Sequence, residues 1–200
     1  MIQTGIGLKN AEAALKYIFE EHRPDSILSI GFGGALYSGA EIGDLVWASK
    51  VFLVNNGIAE TIELPESGKT ASRMSGRIKI REGTILTLVR RMKKSGIGNE
   101  MCKGLPFPVC DMETFAVAKG AVERGLSFLA VRSITDRAEE EIPHELFEVV
   151  DETGTYRLSR ALSVLLRKPY LITQSMKLGM RSKTAAGRLW LSVKSFIETL

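Results

Sequence analysis

Between residues 10 and 21, apolar side chains fall at Ala11, Ala14, Leu15, Ile18 and Phe19, a spacing that places them on one helical face. Pro24 follows and ends the helix. Residues 26–32 (SILSIGF) form a short apolar run closed by Gly33 and Gly34, the pattern of a buried strand emptying into a glycine-rich loop. Residues 44–54 (DLVWASKVFLV) predict one or two further strands, and residues 84–88 another. Residues 55–80 are polar, with Pro65, Gly68 and Gly76, and predict a long loop or irregular excursion. Residues 93–108 have the same character. After Val109, the segment CDMETFAVAKGAVERG sets Met112, Phe115, Ala116, Ala118 and Val122 at helical spacing and closes on Gly125. Residues 127–134 (SFLAVRSI) predict a strand ending in Thr135 and Asp136. From Leu146 the pattern is mostly helical, and the chain holds no internal repeat. Helices alternating with short apolar strands argue for an α/β fold.

Composition narrows the class. Two hundred residues, 44% hydrophobic and 25% charged, suit a globular domain with its own core and exclude a disordered tail or a collagen-like fibre. Cys102 and Cys110 lie outside any CxxC, which excludes a disulfide scaffold and points to a reducing compartment. No run of 18 apolar residues occurs, and residues 1–10 lack the layout of a secretory signal, so the expected location is cytoplasmic.

The net charge of +4 is unevenly spread: residues 167–200 carry seven Lys or Arg and one Glu, a balance of +6, which leaves residues 1–166 at −2. Evenly spread basicity would suggest nucleic acid as a partner; this distribution does not. It divides the chain into a near-neutral body (1–166) and a basic C-terminal extension (167–200). In the extension Leu171, Ile172, Met176, Leu178, Met180, Leu189, Trp190, Leu191, Val193 and Phe196 are interleaved with cations, although Gly179 and Gly187 weaken a single helix. The extension reads either as an appendage meeting an anionic surface such as a bilayer, or as a helix packed on the body.

Asp136 stands where a buried strand ends, the edge at which ligands collect in open α/β sheets. Pattern alone favours a helix-capping pair of Asp136 with Glu139. Asp111 is placed to cap the helix that follows it, which leaves Glu113 as a favourable first-turn carboxylate. Two glycine turns compete for an anion, one holding Gly5 and Gly7, the other Gly31, Phe32, Gly33 and Gly34. A dinucleotide fingerprint from Gly31 would need glycine at position 36, where Leu36 stands, and no Walker loop occurs. His22 and His144 are the only histidines and neither has metal-ligand spacing, so no metal is expected. Cys110 reads as a small buried residue, and no GxSxG supports nucleophilic catalysis.

The order of the segments carries more than any one of them. TGIGLKNA (4–11), SIGFGGAL (29–36), EIGDLV (41–46), EGTILT (82–87), VCDMETFAVA (109–118) and FLAVRSITD (128–136) together resemble the nucleoside phosphorylase and nucleosidase superfamily. The EIPHE step after Asp136 and the long basic C-terminus look like the hopanoid-associated phosphorylases, which act on adenosylhopane. The resemblance implies a three-layer αβα domain around a central mixed sheet, with a helical C-terminus.

It also implies roles. Asp136 matches the general acid that protonates N7 of a purine so that the base leaves neutral, and burial at a strand end would keep such a carboxyl protonated. Glu113 matches the acceptor of the ribose hydroxyls, and Met112 the side chain packed on the sugar. Gly31, Phe32, Gly33 and Gly34 align with the turn beside base and sugar, which Phe32 makes more apolar. Gly5 and Gly7 are the nearest candidates for holding phosphate. The implied activity is cleavage of a purine nucleoside's N-glycosidic bond, most specifically phosphorolysis of adenosylhopane. Alternatives are a methylthioadenosine/S-adenosylhomocysteine or futalosine nucleosidase, or a non-catalytic nucleoside-lipid binding protein; a nucleotide-dependent oxidoreductase is a distant third. No cofactor beyond phosphate as co-substrate is implied, and self-association is expected. Family members usually carry a further strand and turn before TGIG, where this sequence has three residues, so the group that chooses between phosphate and water is expected to be missing from it.

Overall fold

A computed structural model describes residues 1–64, 80–97, 99–143, 168 and 170–198. In chain order its elements are α1 (Leu8–Glu21), β1 (Ser26–Ala35), β2 (Leu45–Val54), β3 (Ile58–Glu63), β4 (Ile80–Leu88), the short turns α2 (Lys94–Ile97) and α3 (Asn99–Cys102), β5 (Val109–Asp111), α4 (Thr114–Val122), β6 (Ser127–Asp136) and α5 (Tyr170–Ile197). The helical pattern predicted from Leu146 to residue 167 lies outside the described residues, as does His144.

The strands form one mixed sheet in the order β3-β2-β4-β5-β1-β6, and β2 also pairs antiparallel with β6 through Leu45–Ser133, Val46–Arg132 and Trp47–Val131. Five strands therefore run in a closed circuit, with β3 outside it. Side-chain alternation along β6 assigns the two layers. Phe128 and Ala130 pack with Ala11 and Leu15 of α1 and with Phe115, Ala118 and Ala121 of α4. Leu129 and Val131 face the other way, onto Leu189, Val193 and Phe196 of α5. The result is the three-layer αβα arrangement with a C-terminal helix. Each of those α5 side chains contributes about 1.5–3 kcal/mol by burial, enough to fasten the basic helix to the sheet.

The structure corrects several expectations. The first strand does not end in a glycine loop: β1 runs on through Gly33 and Gly34 to Ala35. Both glycines are needed for close approach, since a Cβ on Gly33 would lie 2.4 Å from Cγ1 of Val109, and one on Gly34 would lie 2.6 Å from Oδ2 of Asp136. The polar stretch after residue 55 contains β3, which pairs with β2 despite its mostly exposed side chains. Hydrogen bonding to β2 holds a strand that gives the core little beyond Ile62. The C-terminal helix is unbroken through Gly179 and Gly187, where a Cβ would meet nothing within 4 Å, so each glycine costs only its propensity, about 1 kcal/mol.

Pairing of β1 is lopsided. It matches β6 in parallel from Ser26 to Gly34, but touches β5 only at Gly34 and Ala35. Along residues 27–32 its other flank has no strand neighbour among the described residues, and that flank opens onto the cavity described below.

Gly33→Ala is expected to destabilise the fold by about 1–3 kcal/mol, because β1 and β5 must separate to admit the methyl group. Gly187→Ala is expected to stabilise it by up to about 1 kcal/mol. Urea denaturation of the two variants against the parent chain checks both signs.

Candidate active site

A guanidinium on a central strand of an apolar sheet needs an acid, and the fold supplies one. Arg132 of β6 donates from Nε to Oδ2 of Asp111 at 2.9 Å, with both side chains buried. Its Nη1 donates to the carbonyls of Ser29 and Val131 at 3.1 and 3.0 Å, and its Nη2 to the Ser29 hydroxyl at 3.0 Å. Asp111 also accepts from the Thr87 hydroxyl at 2.7 Å, from the backbone N–H of Thr114 at 3.1 Å, and from the Thr114 hydroxyl. Thr87 in turn accepts the N–H of Phe115 at 2.9 Å. The network ties β6, β1, β4 and β5 to the first turn of α4. Asp111 caps that helix, as its sequence position predicts.

Glu113 stands on top of this network. Its Oε1 accepts the N–H of Gly7 at 2.7 Å and its Oε2 the N–H of Met112 at 3.3 Å. The carboxylate thus meets the positive end of α1, from more than a hundred residues away in the chain. The contact sits where α1 begins, at Leu8, which extends the apolar face by one turn ahead of Ala11. Burial pushes the Glu113 carboxyl above its ordinary value and the charge of Asp111 adds to the rise, while the Gly7 N–H, Arg132 and the Met112 N–H pull against it.

Next to Glu113 lies a cavity of about 1200 Å³, walled by the N-terminal segment, the open flank of β1, the 111–113 turn and the inner side of α5. Gly5, Gly31, Phe32, Met112, Glu113 and Arg91 are on its wall. Burial lowers the Arg91 guanidinium from its ordinary value, and Glu113 counteracts the shift.

Asp136 occupies the end of β6, one residue beyond Thr135, which lines the cavity. It is buried, and no helix follows it among the described residues, so the capping pair with Glu139 does not form. Its Oδ1 accepts the Thr135 hydroxyl at 2.8 Å, and its Oδ2 meets the Lys94 ammonium at 2.5 Å. Lys94 also donates to the carbonyls of Asp136, at 3.3 Å, and of Arg137. The α2 turn that carries Lys94 is held by Glu141, whose carboxylate accepts the N–H groups of Lys94 at 3.2 Å and Ser95 at 3.0 Å.

The structure therefore gathers Met112, Glu113, Gly31 and Phe32 around one cavity and sets Asp136 behind Gly34, covered by Lys94. Gly33 and Gly34 are strand residues and not part of an anion-binding turn. Gly7 does hold an anion, but it is the chain's own Glu113. The Cys110 thiol is pushed up to about 12, first by burial and then by the charge of Asp136, so at neutral pH it is no nucleophile.

Sequence reasoning assigned no role to Arg132 or Lys94. A lone arginine inside FLAVRSITD was the available signal for the first, since a buried cation demands a partner. Lys94 sits in a polar loop and gave none.

This fold and site define a class: the chain belongs to the phosphorylase superfamily, whose family model matches residues 1–167. Among curated relatives, the 5′-methylthioadenosine/S-adenosylhomocysteine nucleosidase of Shewanella sp. (strain MR-7) is 25% identical over 193 residues, covering 88% of this chain and 80% of that protein. Among solved structures, the nucleosidase of that name from Neisseria meningitidis, in complex with methylthio-immucillin-A, superimposes with a TM-score of 0.65 at 19% identity, covering 98% of this chain and 79% of the other. Futalosine hydrolase of Helicobacter pylori strain 26695 gives 0.68 at 18% identity, covering 98% and 78%.

The raised Glu113 carboxyl has a definite sign in a stability profile. The native state holds its proton to higher pH than the unfolded chain does, so this group's contribution falls as pH rises from the ordinary value of 4.5 through the raised native one, and is level above it. Glu113→Gln keeps an oxygen for the Gly7 N–H and removes that decline. Thermal melts between pH 4 and 8 should show the variant losing less stability with rising pH than the parent chain.

Proposed function

We propose that the chain releases adenine from a 5′-substituted adenosine by hydrolysis, the activity named for its methylthioadenosine/S-adenosylhomocysteine relatives. One observation carries the choice of water over phosphate: two of the groups that could hold an anion near Glu113, the Arg132 guanidinium and the Gly7 N–H, are already filled by carboxylates of the chain itself. Arg132 is bound to Asp111, and the Gly7 N–H to Glu113. Two neighbouring carboxylates repel a phosphate dianion and leave water undisturbed.

In this reading Glu113 accepts the ribose hydroxyls and Met112 packs on the sugar, holding the anomeric carbon for an oxocarbenium-like transition state. The C1′–N9 bond breaks with its electron pair going to the base. Asp136 gives a proton to N7, water adds to C1′, and the proton water loses restores Asp136. With Lys94 on Oδ2, Asp136 is not poised to donate, so the step includes withdrawal of the ammonium. The short α2 turn, tethered by Glu141 at two N–H groups, is the piece that would move. No metal or organic cofactor is required.

Cavity shape bears on the substrate. About 1200 Å³ exceeds the roughly 300–1,000 Å³ of ordinary small-molecule pockets, and Leu15, Ile18, Ile27, Leu28 and Val193 make much of its wall apolar. That suits an apolar 5′ substituent. The adenosylhopane reading draws on this room alone, since the relatives are named for methylthioadenosine, S-adenosylhomocysteine and futalosine.

Asp136→Asn should abolish adenine release from 5′-methylthioadenosine, a loss of at least about 100-fold for a general acid. Because that change strands Lys94, the double variant Asp136→Asn/Lys94→Met should recover thermal stability without recovering release. Undiminished release by Asp136→Asn would remove Asp136 from the chemistry. Tight nucleoside binding with no release by the parent chain would make this a binding protein instead.

A further inference from the structure

The inner and outer sides of α5 differ in an unusual way. Its inner side buries Leu171, Ala185, Leu189, Val193 and Phe196. Its outer side should be polar, yet Met176, Met180, Trp190 and Leu191 stand 62, 63, 63 and 58% exposed, with Ile172 beside them. At about 100° per residue, Ile172, Met176, Met180, Lys183, Trp190 and Lys194 fall within about 80° of arc, and Leu191 lies just beyond. The exposed apolar side chains are thus one stripe along a helix of 28 residues, about 42 Å long, and not scattered singles.

The cations of the helix sort by side. Arg181 turns to the body, donating to Glu140 at 2.9 and 2.7 Å, and Arg188 approaches Asp44 at 3.8 Å. Lys183 and Lys194 are interleaved with the apolar stripe and Lys177 flanks it. Among the described residues Lys177 and Lys183 meet no acidic side chain, and Lys194 has only Glu198, just past the end of the helix, at 3.8 Å.

We infer that the outer face of α5 is a docking surface for an anionic lipid membrane. An amphipathic helix lying in the interface plane sinks apolar side chains among acyl chains, sets a tryptophan at headgroup depth and reaches lipid phosphates with lysines, and this face carries all three. No helix among the described residues is long and apolar enough to cross a membrane, so contact is in the plane. A second copy is the poorer occupant, because a two-fold pairing would bring two identical lysine-bearing faces together with no acidic side chain among them to offset the charge, whereas lipid phosphates supply it. The inner side of the same helix, through Ser175, Leu178, Ser182 and Val193, walls the cavity, so docking places the cavity one helix thickness from the lipid. The inference rests on α5 and is independent of the reaction at Asp136.

The test mixes the full chain with vesicles of phosphatidylcholine alone, or of phosphatidylcholine and phosphatidylglycerol in equal parts, and follows co-sedimentation and tryptophan emission. The Trp190→Phe variant separates the Trp190 signal from that of Trp47. Expected are binding to the anionic vesicles, its loss at high salt, and a blue shift of Trp190. Lys183→Gln/Lys194→Gln should lower the partition about fivefold for each lysine removed. Met180→Ser/Leu191→Ser should lower binding with no change in melting temperature. Failure to sediment with anionic vesicles, or equal binding to neutral ones, overturns the inference. A blue-shifted Trp190 in vesicle-free, concentration-dependent dimers overturns it as well, by showing that a protein covers the face.

Discussion

The ion pair between Arg132 and Asp111 is the constraint around which the site is arranged. Both side chains are almost wholly buried, and a buried pair that loses one partner costs about 3–5 kcal/mol, so the two residues must fold together. Satisfying both has structural consequences. The guanidinium also needs the Ser29 carbonyl and hydroxyl, which fixes β1 beside β6. The carboxylate needs Thr87 and the N–H of Thr114, which fixes β4 and the start of α4. Once α4 starts there, Glu113 projects over the pair and its carboxylate finds the head of α1. A pocket wall made from four segments distant in sequence follows from one buried charge and its answer.

The same arrangement sets the electrostatics. Asp111 and Glu113 lie close enough that the charge of one raises the carboxyl of the other, and the cation and backbone amides nearby are engaged by them. A second pair, Lys94 with Asp136, closes the end of β6 in the same manner. Asp111, Glu113 and Asp136 therefore each meet a donor of the chain itself. Gly7 and Lys94 are the internal partners of Glu113 and Asp136, so any ligand that addresses either carboxylate competes with a contact the chain already makes.

Much of this was legible in the sequence. The apolar runs at residues 44–54 and 127–134 become largely buried strands, the run at 26–32 becomes a half-exposed strand held by its pairing to β6, and Met112, Glu113, Gly31 and Phe32 do share one wall. What was misread has physical reasons. Gly33 and Gly34 look like a turn because glycine serves turns and close strand contacts equally, and only the approach of Val109 and Asp136 tells them apart. β3 carries no regular apolar alternation, so its place at the sheet edge comes mainly from pairing with β2, helped by Ile62 against the core. The capping of Asp136 by pattern failed because Lys94, distant in sequence, satisfies that carboxylate instead. Long-range charge partners leave no mark at fixed spacing.

The most direct test of the account is the fate of the anomeric carbon. With 5′-methylthioadenosine, inorganic phosphate and water enriched in oxygen-18, mass spectrometry of the sugar product reads which nucleophile attacked. The account predicts free methylthioribose carrying one heavy oxygen, formed at the same rate whether or not phosphate is present. Methylthioribose 1-phosphate as the product, or release that stops when phosphate is withheld, would contradict it.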